Sequence, residues 1–182
     1  RKDRKKLTGK MVQIVTNQPL DIATGNFDGG KDDEIITVVA REAGNILMHA
    51  FKLNSSLHIE QAVYTTEYIG GVAMELHVAT GDLDWDGTDE AAALWSIKSS
   101  WGNNHYVKIY DIESQLKLNP KGIRTAIGSK GHQHMDIGIG NFDGEEDICQ
   151  EIVVAFEYDA PGPKLLVWIF DVSGDLIKIT RK

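Results

Sequence analysis

The densest chemistry in this chain lies in one run, Asp82-Leu-Asp84-Trp-Asp86-Gly87-Thr88-Asp89-Glu90. Carboxylates at alternate positions of a curled loop converge on one side, where several hard oxygens can surround a cation. Gly87 at the sixth position permits a sharp turn. The backbone carbonyl of Thr88 adds a neutral oxygen, and Glu90 closes the shell. A flexible all-oxygen ligand set suits calcium, whereas magnesium demands near-octahedral geometry and keeps several waters. In helix-flanked calcium loops the closing acid is the twelfth residue. Here it arrives at the ninth and the flanking segments read as strands, so this is a different class of loop.

Two further stretches follow the same plan less closely. In the first, Asn26, Asp28 and Glu34 hold the matching places. Gly30 stands where the fifth-position carboxylate is expected, Lys31 replaces the turn glycine, and Asp32 with its neighbour Asp33 is the compensating acid. In the other, Asn141, Asp143, Glu145 and Asp147 are well spaced, but Glu146 takes the glycine place and two extra residues delay Glu151. The loop at 82–90 ranks first as a metal site, the one at 141–151 second and the one at 26–34 last. The competing reading is a set of solvated acidic turns, because Asp and Gly favour turns regardless of any ligand. Three evenly spaced aspartates followed by glycine exceed what turn chemistry alone requires.

The elements that position these loops repeat. Asp21-Ile-Ala-Thr-Gly-Asn-Phe-Asp-Gly recurs as His77-Val-Ala-Thr-Gly-Asp-Leu-Asp-Trp and as Asp136-Ile-Gly-Ile-Gly-Asn-Phe-Asp-Gly. Each acidic loop leads into an apolar run beginning at Glu34, Glu90 or Glu151. A short break holding Gly44, Gly102 or Gly162 follows, then an alternating segment: 46–51, 106–110 or 165–170. Period-two alternation with β-branched and aromatic residues predicts strands and not amphipathic helices. Fourth strands are expected at 57–66, 123–127 and 176–180, and the run 10–16 reads as the last strand of a preceding unit.

Repeats of this size and content predict an all-β fold of β-propeller blades, each of four antiparallel strands. The expected division is a basic leader with a preceding strand (1–18), then blades at 19–72, 73–130 and 131–182. About three blades fall short of the ~4 that close a ring. The expectation is therefore a partial propeller, completed by further blades or by other chains. A plain β-sandwich is the alternative, but some twelve strands are too many for one of this length.

With the strands assigned, the remaining candidates can be weighed. His132-Gln-His134-Met-Asp136 has a metallohydrolase-like H-x-H-x-D spacing. However, Asp136 occupies the same first-strand position as Asp21 and His77, so a polar ring where the first strands meet is the favoured reading. Trp101, between Ser100 and Gly102, is the candidate for contacting a ligand, since a loop tryptophan can stack on sugars or anchor a protein. Trp85 is expected to pack against a neighbouring unit. His49, His58 and His105 read as ordinary surface or half-buried residues. No G-x-S-x-G elbow and no glycine-rich phosphate loop before a helix occurs, so the module is expected to be non-catalytic.

Gly25-Asn-Phe-Asp-Gly, Gly81-Asp-Leu-Asp-Trp-Asp-Gly-Thr-Asp-Glu and Gly140-Asn-Phe-Asp-Gly resemble the calcium loops of FG-GAP and VCBS repeats. Such repeats build the propeller of integrin α subunits and of related secreted propellers. The resemblance implies Ca2+ between the first two strands of each blade, stiffening the blade and performing no chemistry. It also implies an extracellular, cell-surface or periplasmic setting and a role in adhesion, with a protein or glycan ligand. A structural segment of a larger assembly is the alternative, as is the accessory propeller of a polysaccharide-acting hydrolase or lyase.

Composition narrows the partners. The chain has 182 residues, with 19 basic against 27 acidic side chains and a formal charge of −8. Arg1, Lys2, Arg4, Lys5 and Lys6 cluster in the leader, which leaves the remainder more acidic still. Nucleic-acid binding needs clustered Lys and Arg, so it is not expected. No apolar run is long enough for a membrane span. Cys149 alone excludes an internal disulfide framework and a multi-cysteine zinc site. The start at Arg1, with neither methionine nor signal peptide, reads as a processed or cut product or a piece of a longer chain.

Overall fold

The alternating segments become twelve strands among the described residues. The computed structural model describes residues 17–99, 102–113, 116–129, 132–142, 150–160, 162–172 and 179–181. The run 10–16, expected to form a preceding strand, lies outside them. The strands are β1 (Leu20–Gly25), β2 (Glu34–Arg41), β3 (Asn45–Leu53), β4 (Ile59–Tyr68), β5 (Ala73–Gly81), β6 (Glu90–Ser99), β7 (Gly102–Glu113), β8 (Lys117–Ser129), β9 (His132–Gly140), β10 (Glu151–Ala160), β11 (Gly162–Val172) and β12 (Ile179–Arg181). They form three separate four-stranded sheets, β1–β4, β5–β8 and β9–β12, each an antiparallel meander in sequence order. The fold is all-β.

The fourth strands depart most from expectation. The second one spans Lys117–Ser129 instead of 123–127. It takes in Pro120, which pairs with Tyr110 inside the ladder. β8 is an edge strand, where a missing N–H costs no ladder hydrogen bond. Irregularities at His105/Tyr106 and Val107/Ile109 absorb the misfit.

The packing explains a pattern that alternation alone does not. In β6, Ala91, Ala93, Trp95 and Ile97 face the first sheet and join Ile36, Val38, Met48 and Tyr110 in one buried cluster. Ala92 and Leu94 face the third sheet and join Val107, Ile109, Ile152, Val154 and Phe156 in a second. A strand covered on both faces reads as a continuous apolar run, which is why Ala91 to Trp95 does not alternate. His105, expected near the surface, is fully buried between the second and third sheets. Its Nδ1 lies 3.3 Å from Met135 Sδ and its ring packs edge-on against Phe156.

The stack runs head to tail. Counting from the glutamate that opens each second strand, Ile36 and Val38 correspond to Ala92 and Leu94, and all four face the following sheet. Ala91, Ala93 and Trp95 correspond to Ile152, Val154 and Phe156, and all six face the preceding sheet. First strands pack on one another, β1 against β5 and β5 against β9, and the outer strand β4 meets β8. At that outer edge Glu67 accepts hydrogen bonds from Tyr110 Oη (2.7 Å) and Lys108 Nζ (2.7 Å), tying the first sheet to the second.

Candidate metal centre

Each acidic loop is pinned by the glutamate after it. Glu34 Oε2 accepts the backbone N–H of Phe27 at 3.0 Å, Glu90 Oε2 that of Leu83 at 2.8 Å, and Glu151 Oε2 that of Phe142 at 2.6 Å. All three glutamates are buried. Phe27 and Leu83, the residues whose N–H groups they hold, are fully buried, so the loop is anchored through an apolar plug at its second position. The sequence alone suggests a closing ligand at these glutamates. Their first task is to fix the loop backbone.

In the second loop the three aspartates converge. One carboxylate oxygen from each of Asp82, Asp84 and Asp86 lies within 4.8 Å of the others. The loop curls through a set of short local bonds. Asp84 Oδ1 accepts from Asp86 N (3.2 Å), Asp82 Oδ2 from Gly87 N (3.1 Å), and Asp86 Oδ1 from Thr88 N (2.8 Å) and Thr88 Oγ1 (2.6 Å). Gly87 has φ +89° with open space where a β-carbon would stand, so it supplies the left-handed turn as expected. Trp85 also adopts a left-handed φ of 63°. Its side chain is 56% exposed, where packing against a neighbouring unit was expected.

The electrostatics of this loop favour a cation. Burial raises the Asp84 carboxyl, and repulsion from Asp86, Asp82 and Asp111 adds to it. Glu90 is pushed up to about 8, by burial first and then by Asp84, Asp86 and Asp82. Asp82 Oδ1 is buried with no hydrogen-bond partner. An orphaned carboxylate oxygen beside two more carboxylates is a costly arrangement without a counter-charge. The donor set is entirely oxygen, which fits calcium and not a soft metal.

The first loop is arranged differently. Asn26 Nδ2 donates to Gly30 O at 3.2 Å, and Asp28 Oδ1 accepts from Gly30 N at 2.9 Å. Lys52, from β3, donates to Asp28 Oδ2, and its Nζ lies 3.6 Å from Glu34 Oε1. That hydrogen bond holds the Asp28 carboxyl below its ordinary value and raises the Lys52 ammonium. Asp32 is exposed. In the third loop Asn141 is exposed and Glu151 is buried. Asp143, Glu145 and Asp147 lie outside the described residues, as does Trp101.

The loops also touch one another. Asp89 Oδ2 accepts the N–H of Asn26 and Asp89 N donates to Asn26 O, both at 2.8 Å. Gln150, at the same place in the third unit, donates its N–H to Asp82 O at 3.4 Å. This close passage explains the glycine opening the first two motifs, whereas a β-carbon on Gly140 would meet Phe142 of its own loop. A β-carbon on Gly25 would stand 2.7 Å from Asp89 Oδ2, and one on Gly81 would collide with Gln150 Oε1 and Ile139 Cγ2.

The first-strand polar residues meet as expected. His77 Nδ1 lies 3.8 Å from Asp21 Oδ2 and 3.7 Å from Asp136 Oδ1, so one imidazole stands between carboxylates of the other two sheets. His134 turns to Glu75 instead, at 3.0 Å. His134 and Asp136 of the H-x-H-x-D run thus face different partners.

Sequence reasoning missed two residues of the loops, Lys52 and Asp111. Both sit on third strands, and only the register of the ladder brings them to the loops. No protein-family model matches the chain, and no curated protein matches it. Among the described residues no helix is long and apolar enough to cross a membrane.

Proposed function

We propose that this chain is a calcium-stabilised stack of β-propeller blades of the FG-GAP/VCBS type, serving outside the cell as a binding or structural module. The observation that carries the reading is the convergence of Asp82, Asp84 and Asp86 around a buried, unpartnered Asp82 Oδ1. Thr88 and Glu90 complete the loop, and the ion would relieve the repulsion that lifts Asp84 and Glu90. Its effect is mechanical, because it would fix the connection between β5 and β6. The blade interpretation is supported by the head-to-tail use of sheet faces and by first strands that pack side by side. Heterologous faces of this kind continue into a ring or filament when equivalent sheets are added. Further units or chains would therefore cover Leu20, Ile22, Tyr64 and Tyr68 at one end and Leu165 and Val167 at the other, all of them exposed here.

The extracellular setting rests on affinity. Calcium modules outside the cell bind with dissociation constants of roughly 10⁻⁴–10⁻³ M, and a loop that opens to solvent at its third aspartate would fill there, where calcium is abundant. A ligand role, for a protein or glycan, is favoured by Trp85, an exposed indole held on a left-handed backbone beside the acidic loop.

Terbium(III) luminescence tests the site. Trp85 lies within the loop, so a bound lanthanide should be sensitised by indole excitation and displaced by calcium. Asp84→Asn should abolish the signal, and Trp85→Phe should remove sensitisation while preserving calcium binding in calorimetry. Calcium at ~100 times its Kd should also raise stability by ~2.7 kcal/mol over chelator. An unchanged melting midpoint together with no lanthanide signal would overturn the proposal.

A further inference from the structure

The ladder registers single out one third-strand position common to the three units. Ile35 pairs with Phe51, Ala91 with Tyr110 and Ile152 with Phe170. The next residue along each third strand is Lys52, Asp111 or Asp171. In the second unit that place adds a negative charge to the loop. Asp111 is among the groups that repel a proton-free Asp84, and its own carboxylate is paired with Lys121 Nζ at 2.8 Å. In the first unit the same place delivers an ammonium into the loop.

We infer that Lys52 is the tethered cation of the first loop, filling with its own side chain the place for which the second loop requires an ion. Lys52 Nζ bonds Asp28 Oδ2 and faces Glu34 Oε1. Glu34 is almost wholly buried, and that Oε1 has no hydrogen-bond partner, so Lys52 is the positive group facing it. Through these two carboxylates the ammonium reaches the backbone of the whole loop. Asp28 holds the N–H of Gly30, and Glu34 holds that of Phe27. The first loop is thereby ordered without metal. The contrast with a metal-dependent second loop rests on the calcium reading, but the role of Lys52 does not.

Amide hydrogen exchange on the full chain, resolved by residue, separates the two. In chelator, Lys52→Met should speed exchange at Phe27 and Gly30 by at least ~10-fold, because removing one partner leaves a buried charge uncompensated. Lys52→Arg should retain most of the protection. Calcium added to the wild type should leave Phe27 and Gly30 unchanged while slowing exchange at Gly87 and Thr88. Exchange in Lys52→Met equal to wild type, or calcium protection of Phe27 and Gly30 in the wild type, would overturn the role of Lys52. Should Lys52→Met fail to fold, Lys52→Gln supplies the same neutral arm. A second loop indifferent to calcium would instead defeat the calcium reading and leave the chelator arm to decide on Lys52.

Discussion

Glu90 gives the sharpest prediction, because its carboxyl is buried and titrates far from its usual range. The side chain is 1% exposed and its carboxyl is raised from 4.5 to about 8. In the folded, calcium-free protein Glu90 holds its proton more tightly than in the unfolded chain. Its contribution to stability is therefore full below pH 4.5 and is lost as pH rises toward 8. At about 1.36 kcal/mol per unit the loss has a ceiling of roughly 5 kcal/mol, and relaxation of the loop brings it to ~2–4 kcal/mol. Asp84 and Asp89 are also raised, chiefly by burial, and add in the same direction. Asp28 and Glu113 are lowered, so their contributions are present above the usual carboxylate range and vanish only on strong acidification, outside this window.

Urea melts in chelator at intervals from pH 6.5 to 8 should show stability falling, above the range in which His49, lowered by burial and by Arg41, pulls the other way. Saturating calcium should flatten the trend, since the ion binds the deprotonated carboxylate and releases its proton. Glu90→Gln keeps an acceptor for the Leu83 N–H but cannot titrate, so its calcium-free stability should lose most of the slope. A wild-type profile flat across this range, or a slope undiminished in Glu90→Gln, would refute the reasoning.

Four further outcomes follow from packing and backbone geometry. Gly81→Ala should cost about 1–3 kcal/mol in chemical denaturation, because the new methyl meets Gln150 and Ile139 of the next unit. Gly87→Ala meets open space and should cost only about 1–2 kcal/mol, the strain of a left-handed residue that carries a β-carbon, measured the same way. Tyr110→Phe removes the hydroxyl that donates to Glu67, whose proximity with burial holds that phenol well above its ordinary value. It should destabilise by about 1–2 kcal/mol, and a double-mutant cycle with Glu67→Gln should show that the two changes are not additive. Trp95→Ala should cost about 3–5 kcal/mol in the same assay, since Trp95 is fully buried between the first two sheets.

The strand content and the acidic loops were legible because both are local patterns. Alternation at 46–51 and 165–170 marks strands without reference to anything distant, and Asp82-x-Asp84-x-Asp86-Gly87 marks a loop in the same way. The repeat also told which first-strand residues meet, so Asp21, His77 and Asp136 fall together. What local pattern could not supply was register. Lys52 lies 18 residues beyond Glu34 in sequence, and only pairing between β2 and β3 brings it to the loop. The full extent of β8 stayed hidden for a related reason, since Pro120 is tolerated by its place on an edge strand, a property of the sheet and not of the nearby sequence. Trp85 misled because the exposure of a loop side chain is set by the curl of the loop, which the spacing of its residues does not fix.

The bonds between successive loops have a direction. Asp89 braces Asn26 of the unit before it, and Gln150 reaches back to Asp82 in the same sense. A disturbance at the second loop therefore reaches both neighbours, through Asn26 on one side and Gln150 on the other. During synthesis, each loop would remain provisional until the following unit had emerged to hold it. The array is in this sense a ratchet, its order secured backwards along the chain as each new sheet arrives.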